Sequence, residues 1–323
     1  MSYQLSEINR MAACAPETFL AEADAAFQEK ICAAADKIAN NLRQSPIVLL
    51  SGPSGSGKTT SALKLDQELT RRGIRTHTIS MDNYFRPISP EYTPRTSDGL
   101  YDLESPLCMD MDLLNEHFDA LNRGEEICVP YYDFARNLRD TSRCQPIRLQ
   151  KDEVVVFEGI HALNDDLGGA HPEAFKIYLS AVFKGTWIRL TRRSVRDMNF
   201  RGSDVTTTFA LWANVRRGEK LYISPYKYRA NLILDTALPY EICVFGQYAP
   251  ILRQALPKEN VRHREMGRMI DAFSQFVPIA GGSGLPDSRI YREQRSIRAQ
   301  KITLEDSKVI FSFGSIRADP ESG

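Results

Sequence analysis

A short apolar run, Ile47-Val-Leu-Leu-Ser51, passes directly into Gly52-Pro-Ser-Gly55-Ser-Gly57-Lys58-Thr59 and then into an amphipathic stretch. A continuous apolar run of this length suits a strand buried on both faces, which calls for a parallel sheet with helices on either side. The turn after it matches G-x-x-x-x-G-K-[ST] at every fixed position. Glycines let the backbone curl so that successive N–H groups point at one anion, a nest that side chains would obstruct. The pattern assigns Gly52, Ser54, Gly55, Ser56, Gly57, Lys58, Thr59 and Thr60 to the phosphates of ATP. Lys58 reaches the β- and γ-phosphates, the Thr59 hydroxyl ligates Mg²⁺, and the following helix directs its positive end at the anion. The bland alternative is a chance Gly/Ser turn; a buried strand before it and an amphipathic helix after it speak against that. The motif alone says nucleotide binding and leaves the reaction open.

Further along, strands alternate with helices. Residues 17–43 read as a helix packed beside the first strand. A helix from Thr59 to Arg72 carries Ala62, Leu65 and Leu69 on one face and ends at Gly73. Residues 75–80 form the second strand, 86–99 a polar loop, and 111–123 a helix with Leu114, Phe118 and Leu121 inward and Gly124 as its stop. A hairpin excursion fills 126–149. Strands are expected at 154–157, 176–180, 231–235 and 241–245, and helices at 187–200, 204–221 and 259–276. The fold class is therefore α/β: a parallel sheet of the P-loop NTPase type covered by helices on both faces, with a small hairpin excursion and an Arg-bearing helical lid. Residues 1–44 read as an N-terminal helical segment, 45–300 as one P-loop kinase domain, and 301–323 as a tail or small appendage.

Lys and Arg together number 41, as do Asp and Glu, so the formal net charge is zero. Nucleic-acid and membrane-surface partners normally leave a basic excess, and neither is expected. The six cysteines (Cys14, Cys32, Cys108, Cys128, Cys144, Cys243) show no metal-ligand spacing or disulfide framework and read as buried thiols in a reducing compartment. The start of the chain lacks the pattern of a leader, and no stretch approaches the roughly 18 apolar residues of a membrane span. A cytoplasmic location is expected.

Which class of nucleotide enzyme this is depends on the segments beyond the loop. No N/T-K-x-D base reader of GTPases occurs, Asp166-Leu-Gly-Gly169 follows no strand, and Gly281-Gly-Ser-Gly284 lacks the rest of a transport-ATPase signature. The second strand ends at Ser80-Met81-Asp82-Asn83-Tyr84-Phe85. In an open parallel sheet the carboxyl ends of strands share one crevice, which would set Asp82 near the γ-phosphate, able to take the proton of an attacking hydroxyl. A turn or cap role for Asp82 reads equally well. Glu158, after Val154-Val-Val-Phe157, has the placement of a Mg²⁺-holding carboxylate. Arg189, Arg192, Arg193 and Arg196, at i, i+3, i+4 and i+7 with Arg201 beyond, would line one face of a helix. Such a stripe is ordinarily a solvated face, but beside a triphosphate it suits a lid that offsets charge and excludes water. Lys58, Asp82, Arg193 and Arg196 are the catalytic candidates, and Arg192 and Arg196 join the phosphate contacts.

With these segments in place the chain resembles the uridine kinase/phosphoribulokinase family, through GPSGSGKTT, SMDNYF, the YDLES region, VPYYDF, VVFEGIHAL and RLTRRSVRDMNFRG. The resemblance runs from about residue 30 to 295 and looks closest to a bacterial uridine kinase-like branch. Members of that branch often carry an extra N-terminal domain related to tRNA synthetases, for which this chain shows no counterpart. The resemblance implies a five-stranded parallel core, MgATP as donor and a nucleoside-like hydroxyl acceptor. Asp82 would be the general base, Thr59 and Glu158 the Mg²⁺ ligands, and Asp102 and Arg193 the holders of ribose-like hydroxyls. Arg196 and Arg201 would face the phosphates. Tyr84, Tyr132 and Phe134 would line the acceptor pocket, although ordinary aromatic core positions suit them as well. Asn137 and Arg139 fall in the same acceptor-reading segment, with Asn137 where pyrimidine nucleoside kinases carry a His. Trp187 stands where an acidic residue is usual, and Ser203 where an Arg is common. By analogy with the family, a homo-oligomer is favoured.

The leading expectation is a kinase acting on a nucleoside or nucleoside-like compound. A sugar, sugar phosphate or other small alcohol would suit the same machinery, because a hydrogen-bonding pocket selects for matched groups and Asn137 alters the match. An ATP-binding regulator would have no need of Asp82, and a partner-driven ATPase would take its arginine from the partner. His161 reads as a structural residue.

Overall fold

The computed structural model describes residues 4–133, 136–181, 185–200, 204–254, 256 and 263–279. Two helices, α1 (Leu5–Cys14) and α2 (Pro16–Asn41), precede β1 (Ile47–Ser51), α3 (Lys58–Arg71) and β2 (Arg75–Ser80). Then come α4 (Met111–Asn122), the antiparallel pair β3 (Ile127–Asp133) and β4 (Leu138–Ile147), β5 (Glu153–Glu158) and β6 (Phe175–Ser180). The chain continues through α5 (Gly185–Phe200), α6 (Val205–Gly218), β7 (Leu232–Asp235), α7 (Glu241–Phe245), α8 (Ala249–Gln254) and α9 (His263–Phe273).

β1 is buried at every position and takes the middle of a five-stranded sheet, ordered β2-β5-β1-β6-β7, with all four pairings parallel. Neighbouring side chains along a strand point to opposite faces. Val48 and Leu50 therefore join Val156, Ile177 and Leu179 on one face, beneath α1, α2, α3, α5 and α6. Ile47 and Leu49 join Val155, Phe157 and Tyr178 on the other, with Leu114 and Phe118 of α4 and Val129 of the hairpin. Burying both faces explains why these strands read as unbroken apolar runs. The register brings Leu50 beside Glu158, Glu158 beside Ser80, and Ser180 beside Asp235. The carboxyl ends of the strands thus meet along one edge, over which the P-loop lies.

Gly73 and Gly124, with φ of 81° and 73°, end α3 and α4 in the left-handed region, where glycine carries no Cβ penalty. Asp110 caps α4 by accepting from the Leu113 amide. α1 has little sequence signal, since only Ile8 and Ala12 of its residues are buried. It is tied down by Asn9, which donates to the Gln275 carbonyl and accepts from the Val277 amide, each at 2.8 Å. α1 and α2 share one apolar cluster with α3. The expected tail at 301–323 lies outside the described residues.

Two expectations are corrected. Residues 241–245 form the helix α7 and not a strand, with all five residues buried. A short apolar run cannot distinguish a buried helical turn from a strand, and Glu241 here favours the helix by sitting in its first turn. The cysteines are not six buried thiols: Cys128 and Cys144 are joined in a disulfide across the β3–β4 hairpin, with Cα atoms 5.4 Å apart, and Cys14 is exposed. The antiparallel ladder brings together two residues 16 apart in sequence, which spacing alone does not disclose. Among the described residues no helix is long and apolar enough to cross a membrane.

Candidate active site

The loop between β1 and α3 is held from its outer side. The Ser54 carbonyl accepts from Arg189 at 3.2 Å, the Gly55 carbonyl from Arg192 at 3.3 Å, and the Ser56 carbonyl from the Thr236 hydroxyl at 2.8 Å. Because the peptide unit is planar and trans, tying the carbonyls of Ser54 and Ser56 to one side turns the amides of Gly55 and Gly57 to the other. Gly55 and Gly57 have φ of 74° and 83°. A Cβ on Gly55 would lie 2.4 Å from the Arg189 carbonyl, so the loop requires glycine there for conformation and for space. The Ser56 hydroxyl is buried and points back under the loop against Gly52, with no hydrogen-bond partner. Thr59 is exposed and Thr60 half-buried in the first turn of α3.

Lys58 donates to the Gly52 carbonyl at 2.8 Å. Burial pushes its ammonium pKa down, opposed by the nearby Glu158 and Asp82 carboxylates. Burial pushes the Glu158 carboxyl up, opposed by Lys58. The Thr59 hydroxyl lies 3.4 Å from Glu158 Oε1. A hydroxyl and a carboxylate at the foot of a phosphate-binding loop are the oxygen donors Mg²⁺ takes when substrate phosphate and water complete its shell. No cluster of three or more His, Cys, Asp or Glu suited to a metal occurs among the described residues. Asp82 is exposed in the 3₁₀ turn Met81–Tyr84 at the end of β2, where buried Met81 and Tyr84 anchor the turn on either side of it.

α5 crosses the outer side of the loop, and its arginines divide into two pairs. Arg189 and Arg192 belong to the interior: Arg189 is paired with Glu219 at 2.9 Å, and Arg192 with Glu241 at 2.6 Å, all with little exposure. Arg192, expected on the phosphates, instead buttresses the loop, because Glu241 and Thr236 engage its guanidinium. Arg193 donates to the Ser54 hydroxyl at 2.9 Å and lies 3.4 Å from Asp197. Arg196 pairs with Asp197 and is close enough to act on Lys58 electrostatically. The stripe is thus not a solvated face, and its two cations nearest the crevice are Arg193 and Arg196. Arg201 lies outside the described residues.

The sequence pattern of the Phosphoribulokinase / Uridine kinase family matches residues 47–241, which takes in every element of this site. The chain belongs to that family. It is a phosphotransferase that acts on a hydroxyl of a small molecule. It is 29% identical over 186 residues to a uridine kinase of Halobacterium salinarum, covering 57% of this chain and 77% of that protein. It is 31% identical over 196 residues to a uridine kinase of Oceanobacillus iheyensis, covering 59% and 87%. Among solved structures, one described as a fructose transport system kinase from Silicibacter sp. TM1040 is similar at 21% identity and a TM-score of 0.49, covering 63% of this chain and 98% of that one.

On the acceptor side of this kinase the structure redistributes several residues. Tyr84 does not line the crevice: it is fully buried, with its hydroxyl 2.8 Å from His117 Nδ1 and its ring against Phe157. As the last residue of the 3₁₀ turn it points inward while Asp82 points out. Tyr132 is also buried and donates to Asn137 Oδ1, which in turn accepts from the Ile88 amide. Asn137 takes a left-handed φ of 52°, which Asn tolerates better than most residues. Arg139 pairs with Asp110 at 2.8 Å and donates to the Tyr84 and Phe85 carbonyls. Together these three pin the hairpin to the loop that follows Asp82. Phe134 lies outside the described residues.

Asp102 is 3% exposed and is held by the Tyr222 hydroxyl at 2.8 Å and by Arg217 at 2.6 Å. Arg217, Tyr222 and Glu104 were not singled out in the sequence. VRRGEK carries Arg217, YDLES carries Glu104, and Tyr222 follows two residues after the first segment, but only the fold shows that α6 closes on that loop. His161, beneath both segments, is fully buried, with the backbones of Glu104 and Tyr222 as polar neighbours. Burial pushes its pKa down to about 4. The folded state thus keeps His161 neutral where the unfolded chain binds a proton, so stability rises with pH between the two pKa values and is lost as pH falls from 6.5 towards 4. That loss amounts to about 3 kcal/mol. Urea unfolding at about pH 7 and about pH 4.5 should show it in the wild type and much less in His161→Asn; equal acid sensitivity would remove His161 as the cause.

Proposed function

We propose that this kinase passes the γ-phosphoryl group of MgATP to a hydroxyl of a nucleoside-like small molecule. The reading is carried by the meeting of Lys58, Asp82 and Glu158 where β1, β2 and β5 end side by side. Phosphoryl transfer asks a protein for alignment and charge stabilisation more than for covalent chemistry. In this reading Asp82 accepts the proton of the attacking hydroxyl and orients its oxygen. Lys58, Arg193 and Arg196 offset the charge that spreads over the transferring group, and the amides of Gly55 and Gly57 hold the phosphates. Thr59 and Glu158 would hold Mg²⁺, which supplies charge neutralisation on the phosphate oxygens when bound. Asp102 would take the acceptor's hydroxyls. An enzyme consuming ATP in this way belongs in the cytoplasm.

Asn137 supports a second reading of the acceptor. Its side-chain oxygen is engaged by Tyr132 and Ile88, so it serves the hairpin and does not present itself as a base reader. A sugar or another small polyol fits that arrangement as well as a nucleoside.

The test is an ADP-release assay with MgATP against nucleosides, sugars, sugar phosphates and pantothenate-like alcohols, with Asp82→Asn as control. Release confined to one compound class, and lost in the control, supports the proposal and names the acceptor. Release without acceptor dependence would make the protein an ATPase, and none at all a nucleotide-binding regulator.

A further inference from the structure

The segment from Asp235 to Glu241, which joins β7 to α7, stands directly behind the phosphate loop. A Cβ placed on Gly57 would lie 3.9 Å from Arg192 Nη1 and 4.0 Å from Thr236 Cβ. Thr236 is the first residue after β7 and continues its ladder, donating its amide to the Ser180 carbonyl at 2.8 Å. Its side chain is buried, and its hydroxyl has two carbonyls within reach, Ser56 at 2.8 Å and Ser180 at 3.2 Å. A hydroxyl has one proton to give. The shorter contact takes it to Ser56, whose carbonyl belongs to the same planar peptide unit as the Gly57 amide.

Thr236 is in turn fixed by a guanidinium engaged on every side. Arg192 donates from Nε and Nη2 to the two carboxylate oxygens of Glu241, and from Nη2 to the Thr236 carbonyl. From Nη1 it donates to the Thr236 hydroxyl oxygen and to the Gly55 carbonyl. These contacts match the five N–H donors of an arginine. The Nη1 donor takes the acceptor side of the Thr236 hydroxyl and leaves its proton directed at the carbonyls. Glu241, also buried, accepts from the Leu238 amide as well, which closes the segment on itself. Both ends of the segment are tied to α2: Lys30 donates to the Asp235 carbonyl at 3.2 Å, and the Tyr240 hydroxyl to Asp24 at 2.8 Å.

We propose that Thr236 is a positioning residue of the phosphate site: its hydroxyl, oriented by the Glu241–Arg192 pair, fixes the Ser56–Gly57 peptide so that the Gly57 amide faces the bound phosphates. This rests on the assignment of the loop to the phosphates of ATP, and it adds a determinant of nucleotide affinity 180 residues along the chain from Ser56. Without the hydroxyl, the Ser56 carbonyl loses its partner and the peptide gains a second orientation. Bound phosphates must then reverse that orientation, which lowers affinity by the fraction of loops in the wrong state.

The experiment is titration calorimetry of MgADP, whose binding needs no acceptor, with the wild type, Thr236→Val and Thr236→Ser. Valine replaces the hydroxyl with a methyl of similar size, whereas serine keeps the hydroxyl and drops the methyl. In Thr236→Val the dissociation constant for MgADP should rise by about 10-fold. Thr236→Ser should stay within about twofold of the wild type. A residue that merely filled space would give the opposite order, since serine leaves the larger gap. Thermal melts of both variants, with the titrations run below both transitions, separate affinity from stability. Wild-type affinity in Thr236→Val, or a loss in Thr236→Ser as large as in Thr236→Val, overturns the proposal and leaves the kinase reading standing. A wild type that binds no MgADP would instead sink the assignment of the loop.

Discussion

Asp82→Asn is expected to bind ATP as the wild type does and to lose roughly 10²–10⁴-fold in turnover. The substitution keeps the size and shape of the side chain and removes its capacity to take a proton. Met81 and Tyr84, both buried, hold the turn that presents it, so the backbone should not move. ATP affinity depends on the loop after β1, which the residue at the end of β2 does not shape. The measurement is kcat under saturating MgATP and acceptor, with ATP binding followed separately by titration calorimetry. Normal turnover would take the base assignment away from Asp82. A parallel loss of ATP affinity would mean that the residue serves nucleotide binding instead.

Lys58→Ala should give a different signature, weakening both ATP binding and transfer. The ammonium lies among Glu158, Asp82 and the loop carbonyls, where it can follow the phosphate charge from ground state to transition state. Removal of a single preorganised charge contact of this kind costs roughly 10²–10³ in rate. Both ATP affinity and kcat should fall, where Asp82→Asn lowers kcat and leaves ATP affinity unchanged. Unaffected kinetics would separate the P-loop from the reaction.

The arginine helix illustrates how a pattern can be read correctly in composition and incompletely in role. Arg189, Arg192, Arg193 and Arg196 do lie along α5, but burial separates them. The first two are paired with Glu219 and Glu241 in the interior, where an unpaired charge would be costly, and brace the P-loop through its carbonyls. The second two stay near the crevice. The expected lid is thus anchored at its N-terminal half by ion pairs whose acidic members lie 30 and 49 residues further along the chain. No local pattern in the sequence links those partners.

Much of the fold was legible because its rules are local. β1, β5 and the ends of α3 and α4 follow from apolar runs and terminal glycines, which act over a few residues. The phosphate loop was legible for the same reason, since eight consecutive residues carry its pattern, although Arg189, Arg192 and Thr236 brace it from elsewhere in the chain. α7 was misread because a run of four apolar residues, Ile242 to Phe245, satisfies a strand and a buried helix equally. The Cys128–Cys144 disulfide and the inward turn of Tyr84 also escaped, because each depends on what packs against it.

The sequence by itself determined the sheet-and-helix class, the phosphate cradle and the strand ends from which Asp82 and Glu158 project. Only the tertiary structure decided which arginines face the crevice, that Asn137 serves the hairpin, and that Gly218 lets α6 close on Glu104. The division has one physical cause. Backbone conformation and hydrophobic period are set by neighbours in the chain, whereas charge pairing and close packing are set by neighbours in space.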